Sequence, residues 1–184
     1  NPSGSYHKYD VDDYYAIDKS YGTLDDFKNL ISECHKRNIK LIIDLVLNHS
    51  SKANPYFSKA CKAYDKYLKG LTLTAEEEIY KDFYVFYPTA SQVPSNVTAY
   101  KAGTNYSFYY EGNFSSNMPE FNCDSLAVRE EFKEIMKFYL DLGVDGFRLD
   151  AVKYYYFNNN AKNIEFLRWL NTTVKEIESD AYIV

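Results

Sequence analysis

Two charged side chains stand two residues apart near the end of an apolar stretch, Gly143-Val144-Asp145-Gly146-Phe147-Arg148-Leu149-Asp150. Because residues i and i+2 of a strand point the same way, Arg148 and Asp150 are expected to share one face. A guanidinium beside Asp150 favours the ionised carboxylate, which is the form that a carboxylate nucleophile needs. The alternative is a buried Arg–Asp pair that only orients a loop.

A second apolar run also ends in polar groups, in the sequence Lys40-Leu41-Ile42-Ile43-Asp44-Leu45-Val46-Leu47-Asn48-His49-Ser50. Such a nearly continuous run is typical of a parallel strand that is buried on both faces. Asp44 interrupts the run, and Asn48 lies four residues on, on the same face if the strand continues that far. A buried charge needs a partner, and Arg148 is the candidate. The alternative for residues 48–50 is simply the start of a turn.

Helical periodicity surrounds these two strands. Thr23 to Asp26 forms a capping-box pattern, and an apolar stripe follows at Phe27, Leu30, Ile31 and Cys34. Asp124 is expected to cap a second helix, ended by Gly143, whose stripe is Val128, Phe132, Ile135, Met136 and Tyr139. A third helix over 161–178 leads to a strand at 182–184 and is expected to bury Ile164, Leu167, Leu170, Val174 and Ile177. This alternation predicts an α/β fold with a parallel sheet built from right-handed βα units.

The segment between Asn48 and Asp124 is far longer than the usual βα loop of about 2–6 residues. It predicts short helices at 55–67 and 74–82, followed by strand-like pieces at 83–87 and 106–110. An excursion of this length is typical of a functional loop or a small subdomain. In a barrel of parallel strands, a segment at this position would stand on the face where active sites are built.

Composition limits the possible partners of this 184-residue chain. It is 46% hydrophobic and 18% aromatic, which excludes general disorder, and its net charge of −5 argues against nucleic acid as a partner. No run is long enough to span a membrane. Cys34, Cys61 and Cys123 are odd in number and irregular in spacing, so they predict neither a disulfide framework nor a zinc site.

Four collinear motifs resemble those of the α-amylase superfamily. Residues 44–49, Asp-Leu-Val-Leu-Asn-His, resemble its D-x-V-x-N-H signature, and residues 146–153 resemble its nucleophile strand. Residues 6–15 resemble the Y-H-G-Y-D-V-T-D-Y stretch after the second barrel strand, with Lys8 in place of the glycine. Residues 118–122, Met-Pro-Glu-Phe-Asn, resemble the M-P-D-L-N segment before the third barrel helix. Since the four motifs keep the family's order, the chain is identified as a member of this superfamily.

The resemblance implies a partial (β/α)8 TIM barrel that runs from about the end of the second strand through the fifth. Residues 1–49 and 124–184 would be the two barrel parts, and residues 50–123 would be a small α+β domain inserted after the third strand. The family's general-acid glutamate and third carboxylate would lie beyond Val184. We therefore expect the isolated piece to be inactive, and to pair with the remaining barrel segments of its parent chain or to associate with itself.

The resemblance also assigns roles to residues. Asp150 would be the nucleophile, Arg148 would keep it ionised and oriented, and Asp44 would anchor Arg148. His7, Tyr9 and His49 would line the sugar subsite before the scissile bond, and Lys153 would contact the leaving-group sugar. Calcium is the family's frequent structural ion, and Asn48 with Glu120 matches its ligands, although glutamate stands where aspartate is common. The alternative for Asn48 is a hydrogen-bonding role. No organic cofactor is implied.

Three functions follow from the resemblance. The first is retaining hydrolysis of α-1,4-glucosidic bonds in starch-type α-glucans. The second is the activity of an oligo-1,6-glucosidase or a glucanotransferase of the same superfamily, which the Met-Pro-Glu-Phe-Asn segment leaves open. The third is a catalytically dead, amylase-like binding module. Retention of Arg148, Asp150 and His49 together argues against the third function, because a dead relative has no chemical reason to keep them.

Overall fold

A three-stranded parallel sheet positions the charged residues of both apolar runs. The computed structural model describes residues 1–184. Strand β1 spans Ile42–Leu45, β5 spans Gly146–Leu149 and β6 spans Tyr182–Ile183, in the order β1-β5-β6. The register pairs Asp44 with Arg148 and Gly146 with Tyr182. The predicted parallel sheet is confirmed, with shorter strands than the apolar runs indicated.

Strand β1 is not buried on both faces, so that expectation was wrong. Ile42 and Asp44 are exposed, and so is Arg148, the register partner of Asp44 on the central strand β5, because this face of the sheet is not covered by another segment. The strand also ends at Leu45, so Asn48 lies beyond it and does not share the environment of Asp44. From Leu45 to Ser51 the chain is buried without interruption.

Three long helices accompany the parallel sheet: α1 at Leu24–His35, α4 at Leu126–Asp141 and α5 at Asn160–Ile177. The Thr23–Asp26 capping box at α1 is confirmed. All five residues of the predicted α4 stripe are buried. Asp124, however, does not cap α4: Ser125 is the N-cap residue, and Asp124 instead accepts hydrogen bonds from Tyr156 and Lys162.

The inward faces of α1 and α5 differ from their predicted stripes. Ile31 is the buried residue of α1, whereas Leu30 is half exposed. In α5, Ile164 is half exposed, and the buried residues are Asn163, Phe166, Leu170, Thr173 and Val174. The buried face of α5 thus contains two polar residues that an apolar pattern does not reveal.

The segment between β1 and α4 folds into its own helices and sheet. Helix α2 is Pro55–Leu68 and α3 is Ala75–Tyr80. An antiparallel sheet in the order β2-β4-β3 follows, with β2 at Phe86–Tyr87, β3 at Ala99–Lys101, β4 at Tyr109–Glu111 and a single 3₁₀ turn at Ala90–Gln92. Two helices and two strands were predicted here, while β3 and the 3₁₀ turn were not.

Aromatic packing joins this segment to the parallel part of the molecule. Phe121 stacks on Tyr84 with ring centroids 4.8 Å apart, and it meets Phe132 of α4 edge to face at 5.2 Å. Phe57 of α2 contacts Tyr110 of β4 at 5.0 Å. A single cluster of 30 buried residues therefore runs through both parts. None of the helices combines the length and the apolar character of a membrane span. The three cysteines are free thiols.

Candidate active site

Arg148 lies between two carboxylates at the carboxyl end of the parallel sheet. Its Nη1 is 2.6 Å from Oδ1 of Asp150 and 3.5 Å from Oδ1 of Asp44. The hydrogen bond to Asp150 and the charge of Asp44 raise the pKa of Arg148, so the guanidinium stays charged. The Arg148–Asp150 pair predicted from the i, i+2 spacing is thus present, and so is the contact of Asp44 with Arg148, its expected partner.

The backbone turns sharply after Asp150. Ala151 has φ of 52°, a left-handed conformation that costs a residue with a Cβ roughly 1–2 kcal/mol. The Asp150 side chain keeps only 20% of its surface exposed, and its backbone N–H donates to Leu45 O at 3.2 Å. The turn therefore leaves the carboxylate at the end of the sheet and sends the chain away from it.

His49 is buried at the same end of the sheet. Burial lowers its pKa to about 4, so the imidazole is neutral at pH 7. Nδ1 lies 3.3 Å from Nδ2 of Asn48, and Nε2 has no protein partner. If the Asn48 amide donates to Nδ1, Nε2 carries the proton and can donate a hydrogen bond to a ligand hydroxyl.

Tyr14 holds the backbone that carries His49. Its hydroxyl lies 2.8 Å from Val46 O and 2.9 Å from His49 O, and Tyr14 is 1% exposed. Replacing Tyr14 by Phe is expected to lower the free energy of unfolding by about 1–2 kcal/mol, because two buried carbonyls lose their donor. Tyr100→Phe is the matched control, because this half-buried tyrosine makes no hydroxyl hydrogen bond. Urea titration of both variants checks the prediction, and equal stability of the two would contradict it.

His7 and Tyr9 form a stacked pair near Asp150. Their ring centroids are 5.9 Å apart with an interplanar angle of 22°. The backbone N–H of Tyr9 donates to Nδ1 of His7 at 3.1 Å, which leaves the His7 proton on Nε2. The Tyr9 hydroxyl donates to Asp44 Oδ2 at 3.0 Å. Asp44 therefore contacts both Arg148 and Tyr9.

Four of these side chains border an open cleft of about 390 Å³. Its walls combine four predicted site residues with three residues from the segment after β4: His7, Tyr9, His49 and Asp150, with Phe114, Ser115 and Met118. Phe114 is 44% exposed, and its ring centroid lies 5.1 Å from His49 and 4.6 Å from Tyr154. An exposed aromatic ring beside donors and a carboxylate is well suited to the C–H face of a sugar.

The sequence analysis did not predict Phe114, Ser115 or Met118 as site residues. Met118 was noted only as the first residue of the Met-Pro-Glu-Phe-Asn motif, and the only signal for Phe114 was the richness of the chain in aromatics. Lys153, which was predicted to contact substrate, is exposed on the loop after β5 and is not among the residues that line the cleft. Its backbone carbonyl accepts a hydrogen bond from Asn163 Nδ2 at 3.0 Å.

Glu120 and Glu111 form a buried pair of carboxyl groups, 3% and 6% exposed. Burial and the neighbouring Glu111 raise the pKa of Glu120 to about 8. Asn113 donates to both side chains, from its backbone to Glu120 and from its amide to Glu111. The pair has no cationic partner among the ion pairs of the structure.

Asn48 and Glu120, the predicted calcium ligands, lie on backbone segments that are close together. Glu120 pairs with His49 in an isolated antiparallel bridge, so Asn48 and Glu120 lie on adjoining backbone segments. The Oδ1 atom of Asn48 is buried without a hydrogen-bond partner. No group of three or more His, Cys, Asp or Glu side chains is arranged to hold a metal. The orphaned amide oxygen and the pair of carboxyls without a countercharge are oxygen groups of the kind that a hard cation takes as ligands.

Comparison with known proteins relates this geometry to one family. The sequence model of the alpha-amylase catalytic domain matches residues 1–184. Alpha-amylase 3 of Dictyoglomus thermophilum is 42% identical over 183 residues, covering 100% of this chain and 33% of that protein. An oligo-1,6-glucosidase of Parageobacillus thermoglucosidasius is 36% identical over 151 residues, which are 78% of this chain and 25% of that protein.

A solved structure gives the same result. Eubacterium rectale Amy13B superposes with a TM-score of 0.85 and 47% identity, covering 99% of this chain and 34% of that one. The chain therefore spans about a quarter to a third of the length of the relatives it matches. The similarity to these two proteins of Dictyoglomus thermophilum and Eubacterium rectale extends over nearly the whole of the present chain rather than over one motif.

Proposed function

Because this chain belongs to the alpha-amylase family of catalytic domains, we propose that its full-length protein hydrolyses α-1,4-glucosidic bonds of starch-type α-glucans with retention of configuration. The observation that carries the proposal is the 2.6 Å contact between Arg148 and Asp150, at the edge of a cleft shared with His7, Tyr9 and His49. A carboxylate held beside a permanent cation is suited to act as a nucleophile.

Family membership implies a TIM-barrel fold, and we assign this chain to a particular part of it. The parallel strands β1, β5 and β6 would be the third, fourth and fifth barrel strands. Residues 1–49 and 124–184 would form the barrel parts, and residues 50–123 the inserted domain. The separate antiparallel sheet within residues 50–123 and the parallel pairing of β5 with both β1 and β6 support this assignment.

The proposed reaction has two steps. In the first, an oxygen of the Asp150 carboxylate attacks the anomeric carbon and forms a glycosyl ester, while the glycosidic bond to the leaving sugar breaks. A general acid protonates the departing oxygen. In the second, the deprotonated general acid takes a proton from water, which attacks the same carbon; the ester bond breaks, and the Asp150 carboxylate is regenerated. Two inversions give net retention, which requires a second carboxyl group about 5–5.5 Å from the first. We assign that group to the part of the barrel outside residues 1–184.

The remaining cleft residues would hold the sugar before the scissile bond. The His49 Nε2–H and the His7 Nε2–H would donate to sugar hydroxyls, and the Tyr9 ring would stack on the pyranose. Asp44 would keep Arg148 and the Tyr9 hydroxyl in place through the contacts at 3.5 and 3.0 Å. Lys153 is exposed on the loop after β5 and lies outside the cleft, so it would contact the leaving-group sugar only when substrate is bound.

Product analysis of the full-length protein tests the proposal. Maltopentaose should be cleaved to shorter maltooligosaccharides whose new reducing ends are first released in the α configuration, as seen by NMR. Isomaltose should be cleaved slowly or not at all. Fast cleavage of isomaltose would favour the oligo-1,6-glucosidase function, which the Parageobacillus thermoglucosidasius relative makes the second candidate. If neither maltopentaose nor isomaltose were cleaved, both candidate functions would be contradicted.

We also propose that Asn48 and Glu120 hold a structural calcium ion. Such an ion would tie the inserted segment to the end of β1, satisfy Asn48 Oδ1 and neutralise the carboxyl pair. Removing it with a chelator should lower the melting temperature of the full-length protein at pH 8, because an ion that binds only the folded state stabilises that state. Added calcium should restore the original value.

Glu120→Gln separates the role of the ion from that of the carboxyl pair. Without metal, the raised pKa means that folded Glu120 keeps a proton that the unfolded chain releases, so stability falls as pH rises from about 4.5 to about 8. In chelator at pH 8, Glu120→Gln should therefore melt above the wild type. In calcium it should melt below the wild type, since it lacks a ligand.

The matched control is Glu130→Gln, at an exposed position on α4. It should change the melting temperature by the same small amount in chelator and in calcium. Equal melting temperatures of the wild type with and without calcium would contradict the metal site and favour the hydrogen-bonding role of Asn48.

A further inference from the structure

Lys8 has a backbone conformation that is unusual for lysine. Its φ is 64°, in the left-handed region where a side chain with a Cβ is strained. The residue stands between His7 and Tyr9, both of which border the cleft. A strained lysine at this position calls for a compensating interaction, because glycine would adopt the same conformation at no steric cost.

The Lys8 side chain makes that interaction away from the cleft. Its ammonium lies 2.8 Å from Oδ2 of Asp18 and 3.3 Å from the carbonyl of Ser3. The two charged side chains are only 23% and 11% exposed. Asp18 is itself fixed, because the backbone and hydroxyl of Ser20 donate to its other oxygen. The hydrogen bond between the pair raises the pKa of Lys8 and lowers that of Asp18, so both stay charged at neutral pH.

The loop around Lys8 has few other anchors. No backbone–backbone hydrogen bond involves residues 3–10. Side chains hold this segment instead: Ser3 and Ser5 donate to Asp10, and the Tyr9 hydroxyl donates to Asp44. The Lys8–Asp18 ion pair is the one charged link between this loop and the segment that follows Tyr14.

We propose that Lys8 is a positioning residue, whose ion pair with Asp18 fixes the turn that presents His7 and Tyr9 to the sugar beside Asp150. This inference rests on the proposed function. The left-handed turn at Lys8 brings the Tyr9 N–H to Nδ1 of His7 and stacks the two rings. The ion pair selects this arrangement of the loop, and the side chain of Lys8 itself does not touch the sugar.

Kinetics of the full-length protein test the proposal. Lys8→Met should lower kcat/KM for maltooligosaccharides by about ten- to a hundredfold, because misplacing a binding group by about 1 Å has effects of this size. Lys8→Gly should have a melting temperature equal to or above that of Lys8→Met, since it relieves the backbone strain, and yet should show the same loss of kcat/KM. A merely structural role would make activity follow stability instead.

Three further variants complete the test. The charge swap Lys8→Asp with Asp18→Lys should recover most of the lost kcat/KM, because the pair is rebuilt and Asp tolerates the left-handed conformation. Lys19→Met, which removes an exposed lysine outside any ion pair, should leave kcat/KM unchanged. Asp18→Asn removes the ion pair from the other end, and it serves as the test variant if Lys8→Met does not fold.

The ring nitrogens of His7 give a readout that needs no activity. In the wild type, ¹⁵N NMR should show Nδ1 as a hydrogen-bond acceptor and Nε2 as protonated, with His7→Gln identifying the signals. Lys8→Met should shift these signals towards those of a free, exchanging imidazole. The proposal would be overturned if the His7 signals of Lys8→Met equalled those of the wild type. It would also be overturned if kcat/KM of Lys8→Met lay within about twofold of that of Lys19→Met, or if the charge swap recovered no kcat/KM. A wild type that cleaves no α-glucan would instead overturn the proposed function, while the NMR comparison would still test the ion pair.

Discussion

Replacing Asp150 by Asn in the full-length protein should abolish hydrolysis while leaving the binding of α-glucan largely intact. The amide keeps the shape of the carboxylate and much of its hydrogen bonding to Arg148, yet it cannot form a glycosyl ester. We expect kcat to fall by at least about a thousandfold, since the loss of a catalytic group usually costs several kcal/mol in the transition state. Maltooligosaccharide binding, measured by calorimetry, should weaken only a few-fold.

The control for this variant lies at the other end of the same strand. Asp145 pairs with His35 at 2.7 Å and with Lys40 at 2.9 Å, and it also accepts the backbone N–H of Leu41. Although partial burial opposes it, these hydrogen bonds hold the pKa of Asp145 at about 2. Asp145→Asn should therefore lower the melting temperature and leave kcat within a few-fold of the wild type. A turnover by Asp150→Asn above about a hundredth of the wild type would remove Asp150 from the nucleophile role.

Replacing Gly146 by Ala should prevent the parallel sheet from forming. The added Cβ would lie 1.9 Å from the carbonyl oxygen of Tyr182 and 2.6 Å from its nitrogen, and φ of Gly146 is +153°. Backbone atoms of a paired strand cannot retreat from this clash without losing the β5–β6 register. We expect a destabilisation of about 4 kcal/mol or more, at the upper end of single-substitution effects.

Gly70→Ala is the matched control, because it shares a positive φ of +67° but has nothing within 4 Å of the added Cβ. It should cost only the backbone strain, roughly 1 kcal/mol. Thermal melts of the two full-length variants separate the clash from the strain. If Gly146→Ala melted at the temperature of Gly70→Ala, the close approach of β5 and β6 would be contradicted.

The charged part of the site could be predicted from the sequence because it depends on simple periodicities. The i, i+2 spacing puts Arg148 beside Asp150, and the parallel arrangement of two neighbouring strands puts Asp44 opposite Arg148. The apolar stripe of α4 was predictable for a similar reason, since all five of its members are aliphatic or aromatic and face one core. In these cases the pattern of residue types and the packing agree.

Other features depend on contacts between segments that are distant in sequence. The buried face of α5 was predicted wrongly because Asn163 lies in it, where its amide donates to the carbonyls of Lys153 and Tyr156. An apolar pattern treats such an asparagine as exposed. The need for glycine at position 146 likewise arises from Tyr182. The exposure of Asp44 arises because its face of the sheet, which also carries the exposed Arg148, is not covered by another segment.

The walls of the cleft could not be predicted from local sequence patterns either. Phe114 reaches His49 only because the segment after β4 folds back over the end of the parallel sheet. The buried contact between Glu111 and Glu120 arises from backbone pairing between residues nine positions apart, in which Glu120 N–H donates to Glu111 O at 2.9 Å. Lys8 was recognised as a departure from the family's glycine, but its partner Asp18 could not be inferred from that substitution.

Trapping the covalent intermediate tests the role of Asp150 most directly. A 5-fluoro-α-glucosyl fluoride supplies a leaving group that needs no acid, and its ring fluorine slows hydrolysis of the resulting ester. After incubation with the full-length protein, peptide mapping by mass spectrometry should find one fluoroglucosyl group on the peptide that contains Asp150, and none in Asp150→Asn. An adduct on a different carboxyl group, or initial release of β-configured products from maltooligosaccharides, would contradict the proposed mechanism.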